Sequence, residues 1–363
     1  MLEVDLDALA ANWRLLASRA GRAECGAVVK ADGYGLGAPE VAGALYEAGC
    51  RTFFVTYPGE ALALRPLLAD ARLCVLHGVS DGSEAEAAAA GLVPVLNQID
   101  EIRRWRQTAA RLGRRLPAIV HLDTGMNRLG LGAADAASLA AEPGLLDGIA
   151  LAGWMSHLSC ADLPDHPMTA QQVARFDQLL ATLPAAPASL ANSSGHFRGP
   201  ELLRDLTRPG AALYGVNPTP EATNPMRPVV RLLGRILQTR EVEAPAAVGY
   251  GADHRVAGRA TIATIAIGYA DGYHRALGSR GFVRIGGIRA PVVGRISMDL
   301  MTVDASAVPP AVLAAARHAE IIGGERDIDA VAAEAGTIGY EILTGLGPRM
   351  RRVWRRGGAP AAC

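Results

Sequence analysis

Lys30 is the residue with the greatest chemical reach in this chain, because it follows the apolar residues Ala27, Val28 and Val29 and precedes a glycine-rich turn in AVVKADGYGLG. An apolar pocket disfavours the charged ammonium, lowers the amine's pKa, and so favours the neutral form that condenses with an aldehyde to a Schiff base. A lysine placed after a strand can equally be a solvated charge, and the residue alone leaves both readings open. Tyr34, in the same turn, can offer its hydroxyl to a phosphate or can merely cover the end of the element before it. Other residues able to do chemistry recur at the ends of apolar runs: His77, Asn97, Asp123, His157, Asn192 with Ser193, and Arg208.

Those runs are the elements that must position the chemistry. Between Gly26 and Gly215 eight of them (GAVVK, TFFVTY, RLCVLH, LVPVL, AIVHLD, IALAGWMSH, ASLANS, LTRPGAALYG) alternate with breaks and alanine-rich amphipathic stretches. This alternation predicts a parallel sheet, and eight units in so short a span predict a closed (β/α)8 TIM-like barrel. A barrel gathers its functional residues at the C-terminal ends of its strands, where the polar residues named above fall. After Pro228 the texture changes to Val- and Ile-rich alternation with glycine turns, which predicts a mostly antiparallel β domain, with short helices near Asp327–Glu334 and Gly339–Thr344. The expected domains are therefore 8–227 and 228–363, with residues 1–7 a strand that can join the second. The alanine tracts EAEAAAAG and VLAAARHAE are expected to be helical.

Composition narrows the partners. At 363 residues, half of them hydrophobic, the chain is long enough for two domains. Lys plus Arg equals Asp plus Glu at 36 each, so no net charge steers it to nucleic acid or an anionic membrane, and the expected partner is a small molecule. Five scattered cysteines (Cys25, Cys50, Cys74, Cys160, Cys363) suit a reducing cytoplasm better than a disulfide framework or a zinc site. The acidic opening MLEVDLDALAANW does not read as a signal peptide, and no apolar run reaches membrane-spanning length.

Nine motifs, in order from Val28 to Glu341, make the reading specific: VVKADGYG, HLDTGMNRLG, GWMSHLSCAD, ANSSG, LTRPGAALYG, VGYGADH, GYADGYHR, GRISMD and TIGYE. They resemble the motifs of the alanine racemases. The resemblance implies a pyridoxal-phosphate enzyme that interconverts L- and D-alanine, a cell-wall precursor, with Lys30 carrying the cofactor. It implies a phosphate held by Tyr34, Ser193, the backbone of Gly210 and Ala211, and Tyr340. It places Arg208 against the pyridine nitrogen, where a permanently protonated guanidinium leaves that nitrogen unprotonated. Inverting a stereocentre needs an acid–base group on each face of the substrate. The resemblance assigns these to Lys30 and to Tyr250, the latter supplied by a second subunit of a homodimer, with His157 linking Tyr250 to Arg208. Arg128 and the backbone N–H of Met298 are implied to bind the substrate carboxylate, and Tyr269, Arg275 and Arg295 to line the entrance.

The chain departs from the pattern at three places. Many members carry, seven residues before Arg128, a lysine whose carbamate positions that arginine; here the residue is His121. The expectation is that a hydrogen bond from His121, or an anion, orients Arg128 instead. Leu36 stands where the family has a histidine, and the segment ASAVPPAVLAAARHAE is atypical. Rival readings are a broader or serine-preferring racemase, a pyridoxal-dependent decarboxylase, which would not need Tyr250, and a non-catalytic carrier resembling the barrel alone.

Overall fold

Parallel strands that are covered on both faces need uninterrupted apolar runs, and Thr52–Val55 supplies one whose four residues are all buried. In the computed structural model, which describes residues 1–357, seven such strands follow one another in sequence order: Ala27–Val28, Thr52–Val55, Arg72–Val75, Val93–Leu96, Leu116–His121, Ile149–Met155 and Ala188–Ser189. The eighth, Leu206–Thr207, pairs in parallel with Glu24–Cys25, immediately before the first strand. The remaining gap is closed by the N–H groups of Asp205 and Arg208, which donate to Ala188 O and Ala191 O, both at 2.9 Å. Each of the eight apolar runs thus contributes a barrel strand.

The first helix, Leu6–Ala20, starts where the Asp5 carboxylate accepts from Ala8 N–H at 2.8 Å and stops at Gly21, whose φ of 63° suits glycine. Its buried stripe of Leu6, Leu9, Trp13 and Leu16 packs on the barrel. Asn12, buried within that stripe, donates to Leu213 O and Arg227 O and accepts from Arg227 N–H, tying the helix to the segment that leaves the barrel.

The second half of the chain is mostly antiparallel. Val230–Glu243 is its spine, pairing with Arg259–Ala266 on one register and with His318–Ile322 on another. The opening strand Leu2–Asp5 lies in this same sheet, antiparallel to Val230–Glu243 and parallel to Arg352–Arg355. One buried cluster runs through barrel and sheet together, while a small separate cluster of Val248, Val256, Ile262 and Val293 supports the hairpin Ala246–Val248/His254–Val256.

Helical propensity failed at one place. In VLAAARHAE the helix Pro310–Ala315 ends early and His318–Ile322 is strand, because Ala319, Ile321 and Ile322 are buried in the sheet core and tertiary pairing outweighs a preference of a few tenths of a kcal/mol per residue. Cys25, Cys50 and Cys74 are buried free thiols and Cys160 is half-buried, whereas Cys363 lies outside the described residues.

Candidate active site

The barrel mouth opens into a cavity of about 960 Å³. Lys30 enters it by way of an unusual backbone: Ala31, Asp32, Gly33 and Tyr34 all have φ between 54° and 61°. A left-handed turn costs L-residues about 1–2 kcal/mol each. The turn is held by Asp32, which accepts from Ala38 N–H at 2.8 Å, and by Tyr34, whose ring stacks on Tyr214 with centroids 4.5 Å apart. Burial, with help from Arg128, lowers the pKa of the Lys30 amine, and Glu60 partly offsets them. Lys30 is also the only lysine among the 36 basic residues of the chain, a signal present in the sequence that pattern reading passed over.

Small residues shape the next wall. A Cβ on Gly210 would come within 2.4 Å of the Tyr34 hydroxyl oxygen, so that glycine is what lets the two approach. Ser193 Oγ accepts from the N–H of Gly210 at 3.0 Å and of Ala212 at 3.2 Å, so the Gly210 N–H expected to face a phosphate is held by Ser193. Tyr340, on the helix Gly339–Gly345, brings the second domain to the same rim, 6.2 Å from the Tyr34 ring. Hydroxyls gathered beside the Ala211 backbone make a fitting cradle for a phosphate, and Glu341, a carboxylate on the same lining, is bonded by the Thr337 hydroxyl.

Arg208 is buried, and burial pushes its pKa down to about 10, so it stays charged near neutrality. Its hydrogen-bond partners are all neutral: Ser189 Oγ, Ser156 O at 2.6 Å, Leu190 O at 3.4 Å and His157 Nδ1 at 3.5 Å. A buried cation without a counter-ion is costly, and suits a site meant to meet an acceptor of ligand origin. Arginine has no acceptor, so His157 Nδ1 must accept and the neutral ring carries its proton on Nε2. Burial, then Arg208, hold His157 neutral by pulling its pKa to about 3.

The expected bond from His121 to Arg128 is not formed. Asn97 donates its amide N–H groups to Leu76 O and Val95 O, which turns its oxygen toward His121 Nδ1 at 2.8 Å. His121 therefore donates to Asn97 and keeps only an acceptor, Nε2. Its pKa is drawn down to about 4, mainly by burial. Arg128 sits on an exposed loop whose backbone is gathered by Asp123, which accepts from Gly125, Met126 and Asn127 N–H. Leu36 lies apart from the cavity lining, fully buried, with its carbonyl accepting from the Trp354 indole N–H.

Lys30, Tyr34, Arg128, His157, Ser193, Arg208, Gly210, Ala211 and Tyr340 all line this one cavity. Tyr250, Tyr269, Arg275, Arg295 and Met298 do not; they lie on the β domain. Tyr250 is at the tip of the projecting hairpin between Gly249 and Gly251 and is 70% exposed. Beside it, Arg295 pairs with Asp253. Tyr269 N–H and Ala270 N–H donate to Ser297 O and Met298 O at 3.1 and 3.0 Å, so the entrance tyrosine and the Met298 loop form one unit. Residues missed in the sequence reading include Thr56 and Thr344, cavity-lining side chains that carry no distinctive spacing, while Ile338 and Glu341 lie in the TIGYE motif without having been assigned a role.

A barrel and a β domain joined through one core, with a lone amine and an unpaired arginine in the barrel mouth, define an enzyme of two domains that works on a small ligand. Residues 4–218 match the family described as alanine racemase, N-terminal domain, and residues 229–354 match alanine racemase, C-terminal domain. The chain belongs to the alanine racemase family. It is 49% identical to an alanine racemase of Methylobacterium nodulans, covering 99% of this chain and 97% of that one, and 48% identical to a catabolic alanine racemase of Mesorhizobium japonicum, covering 97% and 92%. Its fold matches the crystal structure of the Bartonella henselae alanine racemase with covalently bound pyridoxal phosphate at a TM-score of 0.94, with 38% identity over 98% of this chain and 99% of that one.

Proposed function

We propose that this protein interconverts L- and D-alanine, using pyridoxal phosphate carried by Lys30 and a second acid–base group, Tyr250, from the partner subunit of a homodimer. The observation that carries the reading is that the sole lysine and the enclosed, unpaired Arg208 share one cavity with a cradle of hydroxyls and N–H groups. Bound there, the cofactor supplies the electron withdrawal that acidifies the substrate α-carbon.

The chain's own residues do the rest. Tyr34, Ser193, the backbone of Ala211 and Tyr340 hold the phosphate, Gly210, whose N–H is held by Ser193, gives the close wall beside it, and Arg208, still charged with a pKa of about 10, donates to the ring nitrogen without protonating it. That limits how far charge spreads and keeps the reaction to proton exchange. Lys30 Nζ, its pKa lowered by burial, moves a proton on one face. Tyr250 Oη serves the other. A tyrosine needs help to lose its proton near neutral pH, and the His157 tautomer leaves Nε2–H as the donor to steady it. Arg128, with the Met298 N–H, binds the substrate carboxylate, since a guanidinium can donate two parallel bonds to it. Tyr269, Arg275 and Arg295 line the approach.

Residues 8–227 then act as the cofactor barrel, and the domain from 228 onward completes the partner's site. The exposed Tyr250, Tyr269, Met298 and Leu300 on that domain are a surface suited to burial against a second copy. Among the described residues no helix is long and apolar enough to cross a membrane, and a cytoplasmic setting fits the free thiols.

The test is to follow optical rotation and α-deuterium together while L-alanine turns over with pyridoxal phosphate in D₂O. Racemisation with exchange is expected. Exchange with retained configuration would show that only one face is served and remove Tyr250 from its role, while loss of CO₂ would replace racemisation by decarboxylation. L-Serine in the same assay measures substrate breadth.

A further inference from the structure

Glu60 has no part in the proton transfers above, yet both its carboxylate oxygens are spent on backbone beside Lys30. Oε1 accepts from Ala31 N–H at 2.7 Å, and Oε2 accepts from Thr56 N–H at 2.7 Å and Tyr57 N–H at 3.1 Å. Ala31 directly follows Lys30, and Thr56 directly follows the neighbouring barrel strand Thr52–Val55. One side chain therefore staples two adjacent strand ends at the cavity mouth.

The backbone it holds is one that L-residues avoid, so the turn needs an external anchor. Within the turn, Gly33 N–H donates to Val29 O and Gly35 N–H to Ala31 O, whereas Ala31 N–H goes to the Glu60 carboxylate. A carboxylate accepting three N–H bonds is a strong anchor, because charge-assisted bonds are about twice as strong as neutral ones.

We infer that Glu60 is a positioning residue for Lys30, fixing the peptide that follows it so that the amine is aimed into the cavity. The inference rests on Lys30 being the cofactor amine. Glu60 is also the anion that raises the pKa of Lys30 against burial and Arg128. The other charged or titratable groups lining the cavity around the amine are Tyr34, His77, His121, Arg128, His157, Arg208, Tyr340 and Glu341.

Because Lys30 is the only lysine, an acetylating ester marks it and the amino terminus alone, and peptide mass spectrometry separates the two. The experiment measures the Lys30 acetylation rate from about pH 6 to 10 in ligand-free wild type, Glu60→Gln and Glu60→Ala. Alongside it, the rate at which added pyridoxal phosphate develops a visible absorption band is recorded. Glu60→Gln is expected to move the acetylation midpoint to lower pH, because the anion is gone. Its single amide oxygen accepts on one side only, from Ala31 N–H or from Thr56 and Tyr57 N–H, so part of the staple survives and capture of the cofactor slows less than in Glu60→Ala. Glu60→Ala is expected to slow capture by about tenfold or more. Acetylation profiles and capture rates that superimpose on wild type in both variants would overturn the inference. Should Glu60→Ala not fold, Glu60→Gln decides alone: capture slowed at matched amine ionisation and an unchanged thermal midpoint supports the role, and capture equal to wild type at matched ionisation removes it. If wild type itself gives no visible band, the assignment of Lys30 fails, while the acetylation profiles still report on Glu60.

Discussion

At the scale of single residues, the site is built from groups whose protonation is set by burial. Lys30→Ala removes the only side-chain amine in the chain, so the long-wavelength absorbance of bound pyridoxal phosphate is expected to vanish in a spectrophotometric titration. A band that persists would place the cofactor elsewhere. His121 and His196 are buried with pKa values drawn down to about 4, chiefly by desolvation, which the Leu16 backbone only partly offsets at His196. In the unfolded chain these rings titrate near 6.5. Below that pH the unfolded state takes up protons that the native rings refuse, so stability is intact above about pH 6.5 and is lost as pH falls toward about 4. The slope is about 1 kcal/mol per pH unit for each ring. His196→Leu is expected to flatten it measurably in thermal midpoints taken across that range; an unchanged slope would mean that His196 ionises freely in the native state.

Among the elements, close approaches between loops decide geometry. Gly210 lies where a methyl group would collide with the Tyr34 hydroxyl, and Tyr34 cannot swing away freely because its ring is stacked on Tyr214. Gly210→Ala is accordingly expected to cost about 1–3 kcal/mol through overpacking and to weaken pyridoxal phosphate binding by about tenfold or more, read by fluorescence titration. Affinity equal to wild type would show that this wall yields. The sharp turn at Gly249–Gly251 has a similar purpose, lifting Tyr250 clear of its own domain on a hairpin steadied by the Arg295–Asp253 pair.

For the whole molecule, the separation of the site into two surfaces is the central fact. Nine of the expected residues line the cavity and five stand on the β domain of the same chain; in the proposed homodimer the second set comes from the partner subunit. Lys30→Ala and Tyr250→Phe proteins should each be inactive. When they are unfolded together and refolded as an equal mixture, random pairing makes half the dimers mixed, and each mixed dimer has one intact site of two. About a quarter of wild-type activity is expected to return. No recovery, with mixed dimers shown by mass spectrometry, would mean that Lys30 and Tyr250 act within one chain.

The barrel and its rim were legible in the sequence because fully buried parallel strands demand apolar runs, and the order of polar residues after those runs follows from the chain's direction. The nine motifs likewise named most of the cavity. Tertiary structure alone decided how those residues are oriented. That His121 donates to Asn97 rather than to Arg128, that His157 bears its proton on Nε2, and that Glu60 anchors the turn after Lys30 all depend on contacts between strands distant in sequence. The strand His318–Ile322, drawn out of a helix-forming tract, is the same effect in the backbone: local preference is small, and burial in a shared core outweighs it.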